Sequence, residues 1–249
     1  MPLAQAQSPV NGRTAGGTSF SLSFASAPAQ DSIIVIVASA WASGTQSAWT
    51  DDDIRNGASS AGFTLAGSVF SLYGVRHGVF WKRAGASEPA TYTFDPQNAD
   101  ITTLYSVGCA INWTGQDLTS PVDRFFTATG ESSAPTITDS AATSQAAELV
   151  VASVMVDAGD TNVGIDVPAT TGYTNAHIEQ NSTSYTALSV DTKVVSSIGS
   201  QSAAWGTLAG SYSWTAILFT IKEDVSGIPV LSGSTVIDIG QTSARPRVT

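Results

Sequence analysis

Residues able to do acid–base or nucleophilic chemistry are few in this chain, and their spacing does not assemble them. The two histidines, His77 and His177, are not accompanied by any Gly-x-Ser-x-Gly elbow, so a serine triad has neither its nucleophile turn nor a recognisable base. The settings Val75-Arg76-His77-Gly78 and Ala176-His177-Ile178-Glu179 predict solvated or strand-surface imidazoles. Glycoside hydrolysis needs two carboxyls facing across a cleft, whereas Glu88, Glu131, Glu148, Glu179 and Glu223 are scattered and form no Glu-x-Asp-x-x-Glu strand. Asp51, Asp52 and Asp53 form the densest acidic cluster and would be the candidate calcium ligands if backbone carbonyls completed an oxygen cage. Consecutive side chains of an extended segment point alternately, however, so a solvated loop is expected there and no bound metal. The same holds for the looser group Asp157, Asp160 and Asp166, which lacks the ligand spacing and glycine of a helix-loop-helix calcium site. Cys109 sits among Tyr105, Val107, Ile111 and Trp113 on one face of an alternating segment, the setting of a buried structural thiol rather than a nucleophile. Neither catalysis nor a cofactor is expected.

Indoles offer the other route to function, because an exposed Trp stacks on sugar rings or fills a protein pocket. Trp113 and Trp214 fall on apolar faces and read as core. Trp41 and Trp49 flank the polar stretch Ala42-Ser43-Gly44-Thr45-Gln46-Ser47-Ala48, which makes them the candidate binding residues, with a cell-surface glycan as the candidate ligand.

The elements that would hold these residues are strands. Phe20, Leu22 and Phe24 alternate with small polar residues, and Ile33 to Val37 and Leu149 to Val156 are continuous apolar runs suited to central strands covered on both faces. Further strands are readable at Val79 to Trp81, Thr91 to Phe94, Tyr185 to Val195 and Tyr212 to Leu218, and no amphipathic helix is evident. The fold class is therefore all-β, an antiparallel two-sheet β-sandwich of jelly-roll-like character.

A weak repeat divides the chain. Gly62-Phe63-Thr64 recurs as Gly172-Tyr173-Thr174 at a separation of 110 residues, and Trp81-Lys82 recurs as Thr192-Lys193, each set between a buried run and an aromatic-rich closing strand. Each copy looks short of strands for a sandwich of its own, so the halves are expected to interleave in one body spanning residues 1–223. Residues 224–249 read as an extended C-terminal arm, where Val236, Ile237 and Ile239 would pair with a sheet edge or another subunit, and Arg245 and Arg247 are the only basic cluster of note in the second half of the chain.

Charge narrows the partners. Lys and Arg number 10 against 20 Asp and Glu, for a net charge of −10, which repels phosphate backbones and anionic lipid; neither nucleic acid nor membrane is expected as a partner. Only 12% of residues are charged against about 25% in ordinary domains, so Ser, Thr, Asn and Gln make the surface. Met1 to Gln7 lacks the basic and apolar regions of a secretory leader, which predicts synthesis in the cytosol without export by that route.

Gly62-Phe63-Thr64-Leu65, Phe80-Trp81-Lys82, Glu88-Pro89-Ala90-Thr91-Tyr92-Thr93-Phe94, Trp113-Thr114-Gly115, Ser120-Pro121-Val122-Asp123 and Ala134-Pro135 before Glu148-Leu149-Val150-Val151 follow one another in an order that resembles a β-sandwich module of bacteriophage structural proteins and related bacterial surface proteins. The resemblance covers about residues 18–223 and implies a virion protein: a capsid decoration, head-fibre or tail-attached component, with other virion proteins and copies of itself as partners. It brings no catalytic residues.

Overall fold

The computed structural model describes residues 1–15, 19–42, 62–70, 75–94, 104–157, 172–180 and 186–225. Among them the chain forms strands and no helix. The first seven strands are β1 (Ala4–Ala15), β2 (Phe20–Ser23), β3 (Ile33–Ala42), β4 (Thr64–Phe70), β5 (Val75–Arg83), β6 (Thr91–Phe94) and β7 (Leu104–Thr114). The next seven are β8 (Val122–Ser132), β9 (Thr136–Asp139), β10 (Ala147–Asp157), β11 (Thr174–Gln180), β12 (Thr186–Ser196), β13 (Gln201–Ala204) and β14 (Tyr212–Lys222).

Their pairing reproduces the repeat strand for strand. One five-stranded sheet has the order β1-β7-β3-β5-β4 and the other, read from its far edge, β8-β14-β10-β12-β11; β2 pairs with β6 as β9 pairs with β13. All these pairings are antiparallel. Within each half the chain is a folded ribbon, a wrapping compatible with a jelly roll. The halves do not interleave, contrary to the expectation from sequence: each keeps its own five-stranded and two-stranded sheets. The expectation undercounted strands, because the polar edge strands carry little apolar periodicity.

Burial follows from the alternation. Val35, Val37, Cys109 and Ile111 of the first large sheet meet Leu149, Val151, Ile217 and Phe219 of the second, so the two five-stranded sheets stack face to face. The opposite residues of the same strands, Ile34 and Ile36 or Val150 and Val154, turn outward and are covered by the small sheets, through Phe20, Leu22 and Phe94 in one half and Ile137 and Ala203 in the other. This is why Ile33 to Val37 is apolar without interruption and Leu149 to Val156 is interrupted only by Ser153.

The repeated Gly-aromatic-Thr turn is the same device twice. Gly62 and Gly172 take φ of 78° and 95°, a region that disfavours side chains with a Cβ. The following ring then lies beneath a lysine of the strand paired with the one it leads into: Lys82 Nζ is 5.8 Å from the Phe63 centroid, and Lys193 Nζ 4.4 Å from that of Tyr173. Two residues after the Thr in each half a register shift leaves Ala66 and Ala176 unpaired, again 110 residues apart.

The two ends of the body differ. At one, here the proximal end, Ile33 lies opposite Arg83 and Trp113, and Ala147 opposite Ser196. The link between the halves, residues 115–121, crosses there, and strand β14 runs out there into Asp224, whose N–H donates to Gly115 O at 2.8 Å. At the distal end lie Ala42, Val75, Leu104, Asp157 and Thr186, each bordering a segment outside the described residues, while Gly62, Gly172 and Val225 border such segments toward the proximal end.

Candidate functional site

Of the sequence-derived binding pair, Trp41 is on β3 at the distal end, on the face that looks into the space between the large sheets. It is half-buried, and its ring centroid lies 5.5 Å from that of Tyr105 at an interplanar angle of 43°. Trp49, the Asp51, Asp52 and Asp53 cluster, and the arm residues Val236, Ile237, Ile239, Arg245 and Arg247 lie outside the described residues, as do Asp160 and Asp166.

His77 requires a correction: it is fully buried rather than solvated. Its place on β5, opposite Ser39, turns it toward the second large sheet, where Nε2 lies 3.0 Å from Ser153 Oγ and Nδ1 3.3 Å from Thr215 Oγ1. Both ring nitrogens are thereby occupied, and burial pulls the imidazole down from 6.5 to about 3, with only partial compensation from Thr215. The Ser–His spacing is that of a nucleophile and its base. Yet Ser153 is 1% exposed and His77 0%, so no substrate reaches them without separating the sheets. The contact joins the halves. His177 is on β11, within 3.3 Å of Asn11 Nδ2 on β1, a second link between the sheets at their edges. Cys109 is buried as expected, and desolvation pushes its thiol up, away from thiolate.

Asp191 is also inaccessible, beneath the outer layer of the second half. Its carboxylate accepts from Asn175 Nδ2, Ser189 Oγ and Trp205 Nε1, each at 2.9 Å. Three donors offset the cost of burying the charge, which marks it as structural.

The proximal end holds the arrangement that sequence could not supply. Glu148, at the start of β10, is 0% exposed, and its Oε2 lacks a hydrogen-bond partner. Desolvation raises its carboxyl to about 7, with the Asp123 carboxyl facing it adding to the rise. Asp123 is held below the usual range: the Ser144 N–H at 2.7 Å, the Glu148 carboxyl and the Lys222 charge together outweigh its own desolvation. A register shift brings the two together, since between Phe219 and Ile221 of β14 strand β8 advances one residue more, and Arg124 N donates to Thr220 Oγ1 at 3.1 Å. Residues 140–146 close over the pair. Gln145 N donates to Glu148 Oε1 at 3.3 Å, and Gln145 Nε2 donates to Ala147 O at 2.7 Å and Glu223 O at 3.0 Å.

Beside it, Ile33, Trp81, Arg83, Gln116, Asp117, Leu118, Thr119 and Pro121 line a depression of ≈ 170 Å³. Asp117 caps the link between the halves, accepting from Thr119 N at 2.7 Å and Ser120 N at 3.0 Å, and these bonds hold its carboxyl below the ordinary range. Leu118, 42% exposed, leaves an apolar side chain at the surface here, and Val225, 45% exposed, does the same where the chain leaves the body.

Among the described residues no group of three His, Cys, Asp or Glu side chains is placed to hold a metal ion. Comparison with protein-family models, with curated proteins and with solved structures gives no significant match.

Proposed function

We propose that this chain is a structural protein of a virus particle, of the capsid decoration or head-fibre class of bacteriophages, acting by assembly rather than catalysis. The observation that carries this reading is the polarity of the body: the link between the halves and the exit toward residues 226–249 share one end, and the central strands β3 and β10 run out at the other. That layout suits a module anchored at its proximal end and projecting its distal one. The ordered motifs from Gly62-Phe63-Thr64 to Glu148-Leu149-Val150-Val151 support the phage assignment. Each edge strand of the large sheets, β1, β4, β8 and β11, has a register shift in its pairing, which blunts it as a template for strand addition. Val236, Ile237 and Ile239 would therefore add to a sheet of the partner rather than to this body. Deleting residues 226–249 should leave the circular-dichroism spectrum unchanged and remove the protein from purified particles; a truncated chain that still incorporates rules the arm out as anchor.

A carbohydrate- or receptor-binding module is the second reading, favoured by the half-buried Trp41–Tyr105 pair at the distal end. A glycan array separates the two: ligand bound by the wild type and lost in Trp41→Ala supports it, and no ligand, or equal binding by both, counts against it.

A further inference from the structure

The structure assigns to Asp123 and Glu148 a shared proton that governs how firmly residues 140–146 clamp the end of strand β14, where the chain leaves the body. This device goes beyond the proposed function and holds whatever the segment 226–249 attaches to.

The geometry is a buried carboxyl with one oxygen unpartnered, facing a second carboxyl. Two carboxylates cannot both be ionised at such a place without repulsion, so one retains a proton while the other stays charged. The surroundings decide which. From β14, Thr220 and Lys222 face the pair; Lys222 is opposite Glu148 in register, its charge favours ionised Asp123, and its Nζ donates to Ser120 Oγ at 3.4 Å. From β12 the opposite residue is uncharged Val195, and Lys193 beyond it is engaged on Tyr173. Residues 140–146, Ser-Ala-Ala-Thr-Ser-Gln-Ala, carry no ionisable side chain. Asp123 is thus the carboxylate and Glu148 the acid.

The first half supplies an internal comparison. Aligning Lys82 with Lys193 places Ile34 and Asn112 where Val150 and Thr220 stand, and hence Ser32 where Glu148 stands. There Asn112 Nδ2 donates to Ser32 Oγ at 2.9 Å, and Gln7 Nε2 to Asn112 Oδ1 at 3.4 Å. The same position is therefore filled by uncharged amides and a hydroxyl in one half, and by two carboxyls in the other. The strand geometry does not require ionisable groups.

The coupling runs through Gln145. Its backbone is bonded to Glu148 and its side chain holds the carbonyls of Ala147 and Glu223, while Glu223 N donates to Ala147 O at 3.0 Å. When Glu148 loses its proton the buried pair becomes doubly negative, and the least costly relief is to lift residues 140–146 and admit water. That withdraws Gln145 from Glu223 and frees the last residues before the arm.

Hydrogen exchange of the full chain, followed by mass spectrometry from about pH 6 to about pH 8.5 and corrected for intrinsic rates, tests this. In the wild type, opening of peptides covering 140–148 and 221–225 should rise by up to about tenfold per pH unit once Glu148 must ionise. Glu148→Gln should abolish the rise, and a peptide covering 149–156 should show none in either protein. Equal protection across the range in the wild type, or the same rise in Glu148→Gln, overturns the proposal. Should Glu148→Gln not fold, the carboxyl-carbon titration of Glu148 in the wild type decides: a midpoint near neutrality supports the shared proton and an ordinary glutamate midpoint overturns it.

Discussion

At the residue scale, two buried ionisable groups set opposing dependences of stability on pH. His77 titrates at about 3 in the folded chain against 6.5 when exposed, so between those values the unfolded chain binds the extra proton and stability falls as pH falls. Glu148 titrates at about 7 against 4.5, so the folded chain binds the extra proton between those values and stability falls as pH rises. Their windows overlap from 4.5 to 6.5, where the two slopes, each about 1.4 kcal/mol per pH unit, oppose each other. Urea denaturation of the wild type should accordingly give nearly constant stability across that range. In Glu148→Gln the His77 slope should emerge alone, with stability dropping toward acid by about 1.4 kcal/mol per unit, while at about pH 8 the variant should exceed the wild type by about 3 kcal/mol. Parallel curves for the two proteins would show that Glu148 is already ionised in the folded state.

The edges of the large sheets are the elements that show how the halves are held in register. Gly67 lies on β4 just past its bulge, and a Cβ built there would stand 2.3 Å from the Phe125 ring of β8, which belongs to the other half. Gly67→Ala should therefore cost about 1–3 kcal/mol through overpacking, with thermal or urea unfolding as the measure. Phe125→Leu in the same chain should recover more than half of that, a coupling of about 1 kcal/mol or more; strict additivity of the two changes would place the strain elsewhere. Strands of this kind are also where sequence reading fell short. The central strands were legible because both faces are apolar, and β2 and β6 because Phe20, Leu22, Tyr92 and Phe94 alternate with hydroxyls. By contrast β1, Ala-Gln-Ala-Gln-Ser-Pro-Val-Asn-Gly-Arg-Thr-Ala, has one paired side and a largely solvated face, and Pro9 falls where its register slips between Gln7 and Val10. Strands β8, β9 and β13 were missed for similar reasons: short length, or a face with no apolar period. The Glu148 and Asp123 pair was illegible too, since 25 residues separate them and only the bulge opposite Thr220 brings them together. His77 was misread because Arg76 and Gly78 disguise an inward-facing position whose partners, Ser153 and Thr215, come from the other half.

For the whole molecule, the duplicated topology raises the question of whether the halves behave as two bodies or one. The small sheets each serve a single half, through separate clusters around Phe94 and Trp205. The central cluster is shared: Val35, Val37 and Ile111 from the first half have as their neighbours Leu149, Ile217 and Phe219 from the second, and every one of these is at most 1% exposed. Separating the halves would expose both inner faces at once and leave His77, Ser153 and Thr215 without partners, so each half alone would keep only the cluster beneath its small sheet and lose the larger shared one. Phe219→Ala removes a fully buried ring from this shared layer and should cost about 3–5 kcal/mol, lowering the melting temperature by roughly 2–4 °C for each kcal/mol in a chain of this size. Because the cavity opens onto both sheets, calorimetry should record one endotherm that moves as a unit, with amides of β3 and β10 losing protection together in hydrogen exchange. Two endotherms, with only the one belonging to the second half displaced, would mean that each half is stabilised by its own small sheet and that the central layer is a contact between finished domains.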